Sequence, residues 1–396
     1  MPAIRDFVLG PWRAVAVLGV TQLIAWGAIF YPPVLMMPLI AAERGFSFTF
    51  TMGGFSAALL AAGFIAPRVG RMIDHHGGHR IMPLGSLAGA LGLAALAYAS
   101  NPLAYFMVWI LLGVAMSASL YDPAFATLGR IFGAAARQPI TALTLIGGFA
   151  STVSWPATYA LNQWLGWQNT YLIYAALLAV VAAPLHAFAL PRTRATADAR
   201  PTATGAPAPA LLPAKGAVFL LVAAAFAAYA FVPSGLSTHL LAIFQRLGID
   251  AETAIIIGTL FGPAQVAARL CEFIFARNVH PLWIARFAVA MLVLAFAMLG
   301  LTGLSTPVAF AFAIMFGIAN GLITIARGAV PLALFGAVGY GGIIGRIAGP
   351  ALIVTSIAPV VVAFIAERAS DPVALATVAA FGVVSLVCFL LVRRPA

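Results

Sequence analysis

Charge is what this sequence lacks. Of its 396 residues only 8% are charged, and only 10 are acidic, where a soluble domain of ordinary composition carries about a quarter. So little polar surface excludes a water-soluble globule. Cysteine is also scarce. Cys271 and Cys388 lie inside apolar stretches, which leaves neither a disulfide framework nor a CxxC-type metal site. Lysine occurs once, at Lys215, a skew toward arginine that fits a G+C-rich coding sequence and carries no functional reading. The net charge of +11 does not mark a nucleic-acid binder, because the basic residues stand singly between apolar runs rather than on a polar domain. No phosphate-binding GxxxxGK[ST] loop is present, which argues against ATP drive within the chain. No HExxH, GxSxG or His/Cys cluster lies in an apolar run, so neither an enzyme nor a resident metal or other cofactor is expected. Residues 1–13 are too short and polar for a signal peptide, and no small-residue cleavage site follows a short apolar core. The first apolar run is expected to remain as a spanning helix.

What the chain has in abundance is apolar length, with 63% hydrophobic residues. Runs fall near 14–40, 50–69, 80–100, 103–125, 138–163, 168–190, 216–243, 252–276, 282–302, 307–328, 343–366 and 372–392. Each suffices for the roughly 20 residues that cross a bilayer. Twelve spans at 33 residues apiece, loops included, consume the whole chain. Sorting basic residues by alternate loops places sixteen on one side, from Arg5 and Arg13 to Arg393 and Arg394, and only Arg44, Arg246 and Arg368 on the other. By the positive-inside rule both termini are expected in the cytoplasm, in a multi-pass protein of a bacterial inner membrane.

Residues 191–215 are rich in Pro, Ala, Thr and Arg without apolar periodicity, and are read as a disordered cytoplasmic linker between an N-terminal bundle (1–190) and a C-terminal bundle (216–396). The halves echo each other. Phe30, Pro32, Leu35 and Leu39 recur 201 residues later as Phe231, Pro233, Leu236 and Leu240, and Gly113 and Ala115 recur 204 later as Gly317 and Ala319. A nearly constant offset across separate helices points to a duplicated six-helix unit.

Between helices 2 and 3 the sequence reads Gly70-Arg71-Met72-Ile73-Asp74-His75-His76-Gly77-Gly78-His79-Arg80. With the six-plus-six layout, this resembles the G-x-x-x-D-x-x-G loop of the major facilitator superfamily. The resemblance implies an all-α fold of twelve transmembrane helices in two pseudo-symmetric bundles. It further implies that Gly70, Asp74, Gly77 and Arg80 help lock the cytoplasmic face. Tyr121-Asp122-Pro123 through Phe132, with Arg137, Ala142 and Gly147 beyond, is similar to a stretch of the monocarboxylate and oxalate/formate porters. The segment from Arg327 to Gly336, with Tyr340-Gly341, resembles a bacterial sub-branch of these porters that includes arsenite exporters.

A charge at the bilayer centre costs at least ~2.5 to 3.5 kcal/mol, so the charges inside spans need partners or a wet cavity. They are Asp122, Arg269, Glu272 and Arg327. Gln265, Arg269 and Glu272 stand at i, i+4 and i+7 on one face of helix 8. The porter resemblance implies that Arg269 binds substrate carboxylate, for which a planar, permanently charged guanidinium is suited. A structural Arg269–Glu272 pair, or snorkelling, is the alternative. Glu272 is either the proton-coupling carboxylate or a static counter-ion. Asn320, Thr324 and Arg327 repeat the pattern on helix 10, and duplication puts Arg327 near the position equivalent to Asp122. The two either meet across the cavity floor or pair within their own halves; Asp122 is also a second proton-coupling candidate.

Gln22, Trp26, Tyr31 and Tyr121 complete the candidate substrate site, while Thr141, Thr144, Gly148, Thr152, Trp155 and Tyr159 on helix 5 read as a packing face. His186 and His239 read as interfacial. The sequence thus points to a proton-coupled secondary transporter of a small organic anion, expected as a monomer. Efflux of a metalloid or drug is the alternative, although two cysteines cannot supply the three thiolates arsenite would want. A non-transporting sensor is the third reading, disfavoured by the lack of a signalling domain.

Overall fold

The computed structural model describes residues 10–192, 211–237, 240–246, 248–276 and 278–393. His239, Arg277 and most of the proposed linker lie outside the described residues. Every regular element among those described is helical. Nine apolar stretches each form one spanning helix: α1 (Arg13–Arg44), α2 (Phe48–His76), α3 (Gly78–Tyr98), α7 (Ala217–Leu236), α8 (Glu252–Phe275), α9 (Pro281–Thr302), α10 (Thr306–Phe335), α11 (Tyr340–Arg368) and α12 (Asp371–Leu391). A tenth stretch, Pro102–Ala189, runs 88 residues. It divides into α4 (102–132), α5 (137–165) and α6 (167–189) where Gly133 and Gly166 take φ of +57° and +79°, turns that a side chain would strain.

Several helices outrun their apolar sequence. The hydropathy of helix 2 fades at Val69, yet α2 continues to His76, because 29 residues reach about 43 Å at 1.5 Å per residue against a hydrocarbon thickness of about 30 Å. The motif expected in a loop therefore sits on the last turns of α2, and Gly77 (φ +83°) alone makes the corner into α3.

Prolines break helices and hand their orphaned carbonyls to neighbours. Pro123 has no N–H for the Ser119 carbonyl, α4 opens at Leu120, and Gln22 Nε2 of α1 donates to that carbonyl at 2.7 Å. In the other half Pro359 leaves the Thr355 carbonyl free, and Ser234 Oγ of α7 takes it at 2.7 Å. In α1, Trp26–Phe30 forms one wide turn in which Tyr31 N bonds the Trp26 carbonyl at 3.0 Å. Such bulges re-aim side chains.

Three apolar clusters organise the interior. One fills the second half, with Val222, Phe244, Leu292 and Phe312 at its centre. Another fills the first half away from the termini, around Met37, Tyr105, Trp109 and Tyr171. The third lies at the end that carries the termini and joins the halves: Val69, Ile73, Phe125, Leu128 and Ile140 of the first pack with Leu332, Tyr340 and Ile344 of the second. His186, expected at the membrane interface, is instead fully buried. Its ring nitrogens lie 3.1 Å from Ser86 Oγ and 2.8 Å from Thr21 Oγ1, partners on α3 and α1 that satisfy it inside the bundle.

Candidate functional site

The halves pack on each other along α2 and α11 and through α4 and α5. Along these seams α4 meets α11, and α5 meets α8 and α10, whereas α1 and α7 do not pack extensively on each other among the described residues. Small residues let the backbones approach. A Cβ on Gly63 would lie 2.9 Å from the Gly349 carbonyl oxygen, and Gly70 abuts the Gly341 backbone still more closely. Between these seams α1, α4 and α5 face α7, α8 and α10, and Trp26, Tyr31, Tyr121, Asn320 and Thr324 there are only partly buried, which makes the space between them the candidate cleft.

Three polar contacts seal the closed end. Asp74, on the last turn of α2, accepts from the backbone N–H groups of Gly341 and Gly342 at 2.8 and 2.7 Å. It thereby caps the start of α11 with a carboxylate, where the helix dipole favours negative charge. Arg130 donates to the Asp74 carbonyl, whereas Arg80, expected in this lock, is exposed. The second contact is an ion pair between Arg327 Nη2 and Asp122 Oδ2 at 2.6 Å, joining α10 to α4. It is a single bond: Asp122 Oδ1 and Arg327 Nε are buried with no protein partner. The third joins α5 to α8. Arg137 Nη2 reaches Glu272 Oε1 at 2.8 Å and the Ala276 carbonyl at 2.8 Å, and its Nη1 reaches the Val279 carbonyl at 2.6 Å.

The Arg269–Glu272 pair considered from sequence does not form, because Arg137 occupies the carboxylate. Arg269 is left 5% exposed with no carboxylate partner among the described residues. Its Nη1 donates to the Thr144 carbonyl of α5 at 2.9 Å, and Gly148 makes room for the guanidinium there. The other contacts are long, each at 3.4 Å: Nε to the Gly321 carbonyl, Nη2 to Gln265 Oε1 and to Thr324 Oγ1. A guanidinium has five donors, and this one makes a single short bond.

The remaining candidates fall around it. Asn320 accepts from the Tyr229 hydroxyl at 3.5 Å, and its carbonyl accepts from Thr324 at 2.7 Å. Tyr31 and Tyr121 both lie within electrostatic reach of Arg269. Trp26 stands 5.9 Å from Tyr31 and 5.0 Å from Tyr121, ring centre to ring centre. Gln22 belongs to the support instead. It is fully buried, and both ends of its amide are used, one on the Ser119 carbonyl and the other accepting from Trp26 Nε1 at 3.0 Å. The helix 5 stripe, expected to pack, leaves Trp155 and Tyr159 exposed.

Sequence reasoning missed the closing role of Arg137, which reads as one more basic residue at a span end. A signal was present: Arg137, Thr141, Thr144 and Gly148 share the spacing of Gln265, Arg269, Glu272 and Ala276, as two facing stripes on antiparallel helices should.

The sequence profile described as Major Facilitator Superfamily matches residues 15–339. No curated protein matches the chain in sequence. Solved structures match in shape over nearly the whole chain. The human organic anion transporter MFSD10 (TETRAN) gives a TM-score of 0.72 at 16% identity, covering 98% of this chain and 100% of its own. The proton:xylose symporter XylE gives 0.69 at 10%, covering 98% and 97%. A bacterial homologue of the iron transporter ferroportin, in an outward-facing state, gives 0.71 at 11%, covering 95% and 98%.

Proposed function

The chain belongs to the major facilitator superfamily, and from that premise we propose that it is a proton-coupled secondary transporter of a small organic anion, akin to the monocarboxylate porters and working by alternating access. The fold alone fixes no substrate, since the neighbours' descriptions name an organic anion, a sugar and iron. The observation that carries the reading is Arg269, a buried cation with no carboxylate partner among the described residues, beside the candidate cleft. Burying a charge unpaired is costly, and a substrate carboxylate landing on the guanidinium fork removes that cost. The arginine-rich loops support cytoplasmic termini in an inner membrane, and on that reading the end sealed by Asp74, Asp122 and Arg137 is the cytoplasmic one.

Glu272 is assigned the proton. A protonated Glu272 loses its charge pairing with Arg137, so the α5–α8 seam weakens one turn away from the substrate arginine. A single chain contains the whole site, and a monomer is the proposed working unit.

The test is equilibrium binding of carboxylates to purified protein. Arg269→Lys keeps the charge and loses the fork, and is expected to weaken carboxylate binding about tenfold or more, with an unchanged melting temperature. Unaltered affinity in a folded Lys variant would remove Arg269 from the site.

A further inference from the structure

The cleft beside Arg269 carries aromatic surface on one wall and polar groups on the other. Gly148, Thr152, Trp155 and Tyr159 fall at helical spacing on the face by which α5 meets the Arg269 guanidinium. Trp155 is 47% exposed and Tyr159 61%. Trp155 also meets Tyr31 of α1, edge-on at 6.2 Å and 82°, so it points between helices. Trp164, half a turn round the helix and 81% exposed near the end of α5, suits the lipid interface instead. From Trp155 the rings continue through Tyr31 and Trp26 to Tyr121, inclined to one another by 36° to 82°. Tyr121 is stacked on Phe125, and Trp26 and Tyr31 each meet Phe30 edge-on. The half-exposed Trp155, by contrast, meets the ring of Tyr31 alone among the described residues, and an exposed ring face favours offset-stacked or edge-on contact with another ring. The opposite wall offers Gln265, Arg269, Asn320 and Thr324, with the guanidinium held by one short bond at 2.9 Å and three long ones at 3.4 Å that a carboxylate can replace.

We propose that the substrate is an aryl carboxylate: a planar aromatic ring bearing a carboxylate directly or through one or two carbons. The ring lies against Trp155 and Tyr31 while the carboxylate takes Arg269. This rests on the anion reading of Arg269. A bare aliphatic acid leaves the aromatic row wet, a neutral arene leaves Arg269 unpaired, and an aromatic cation is repelled by it.

Isothermal titration of the purified full-length protein with benzoate, phenylacetate, acetate, benzyl alcohol and benzylamine tests this. Benzoate or phenylacetate should bind at least about tenfold more tightly than acetate, the size of an aromatic contact added to ring burial. The alcohol and the amine should not bind. Trp155→Leu should cut the preference for the aryl acids about fivefold without changing acetate affinity, and Trp155→Phe should keep it. Equal affinity for acetate and the aryl acids, lost in Arg269→Gln, would overturn the aryl assignment and leave the anion site standing. An aryl preference untouched by Trp155→Leu would overturn the role of this wall. Binding by no carboxylate, or binding unaltered in Arg269→Gln, would overturn both readings.

Discussion

Replacing Asp122 with asparagine is expected to open the sealed mouth, the cytoplasmic one in the proposed orientation. The Asp122–Arg327 bond joins α4 to α10 across the closed end, and it is expected to break when the halves part there. A ligand or mutation shifts a conformational equilibrium only through a free energy that differs between the states. Removing one partner of a fully buried ion pair costs about 3 to 5 kcal/mol. Here the Arg327 side chain is 29% exposed and makes a single bond, so about 2 kcal/mol is the better figure, a factor of about thirty in the ratio of closed to open. A reporter cysteine at Thr141, buried beneath the Arg137–Glu272 contact, in a chain with Cys271 and Cys388 changed to serine, would read that ratio by its labelling rate from the cytoplasmic side. Asp122→Arg and Arg327→Asp should each raise the rate more than Asp122→Asn does, since each sets like charges face to face. The exchange of both should bring it back toward the parent, with a coupling of about 1 kcal/mol or more. Unchanged labelling in the single variants, or no coupling in the exchange, would show that the pair does not gate and would free Arg327 to be a second anion-binding group.

The second large effect is expected at Glu272. Glutamine keeps the shape and can accept from Arg137, but it cannot exchange a proton. In proteoliposomes, Glu272→Gln is expected to retain substrate binding and substrate-for-substrate exchange while accumulation driven by a pH gradient falls at least about tenfold. The loss of charge attraction across the α5–α8 seam should also raise labelling at Thr141→Cys, so the two readouts separate the proton from the lock. Full pH-driven accumulation in Glu272→Gln would leave Glu272 a static counter-ion of Arg137.

The spans were legible because bilayer thickness imposes a length on apolar sequence, and α9 and α12 fall within a residue of the runs that announce them at one end or the other. The over-long α2 was not, since its last two turns carry Arg71, Asp74, His75 and His76 beside the buried Val69 and Ile73, and hydropathy averaged over such a mixture no longer reports helix. Within the site, Asp122 and Arg327 could be singled out by cost alone, as charges inside spans, and duplication put them at near-equivalent positions while leaving open whether they pair with each other or within their own halves. Arg137 carried no mark of cost: it belongs to the stretch that resembles the porters, but a basic residue at a span end is explained by topology, and its carboxylate lies 135 positions away. Gln22 shows a different limit. Its polarity in a span suggests a ligand contact, but its partner exists only because Pro123 frees the Ser119 carbonyl on another helix. His186 is the same case, a polar residue whose partners come from two other helices. Sequence reveals that a buried polar group must be satisfied, whereas tertiary packing decides by what.

The central claim is that an organic anion crosses the membrane by way of Arg269. Uptake of radiolabelled carboxylate into proteoliposomes bearing the purified protein, with the interior alkaline, measures it directly. Saturable accumulation above the control liposomes is expected, abolished by collapsing the pH gradient and reduced at least about a hundredfold in folded Arg269→Gln. Accumulation of the anion that survives the loss of Arg269, or no carboxylate uptake by a protein that moves a cationic or neutral solute instead, would contradict the account.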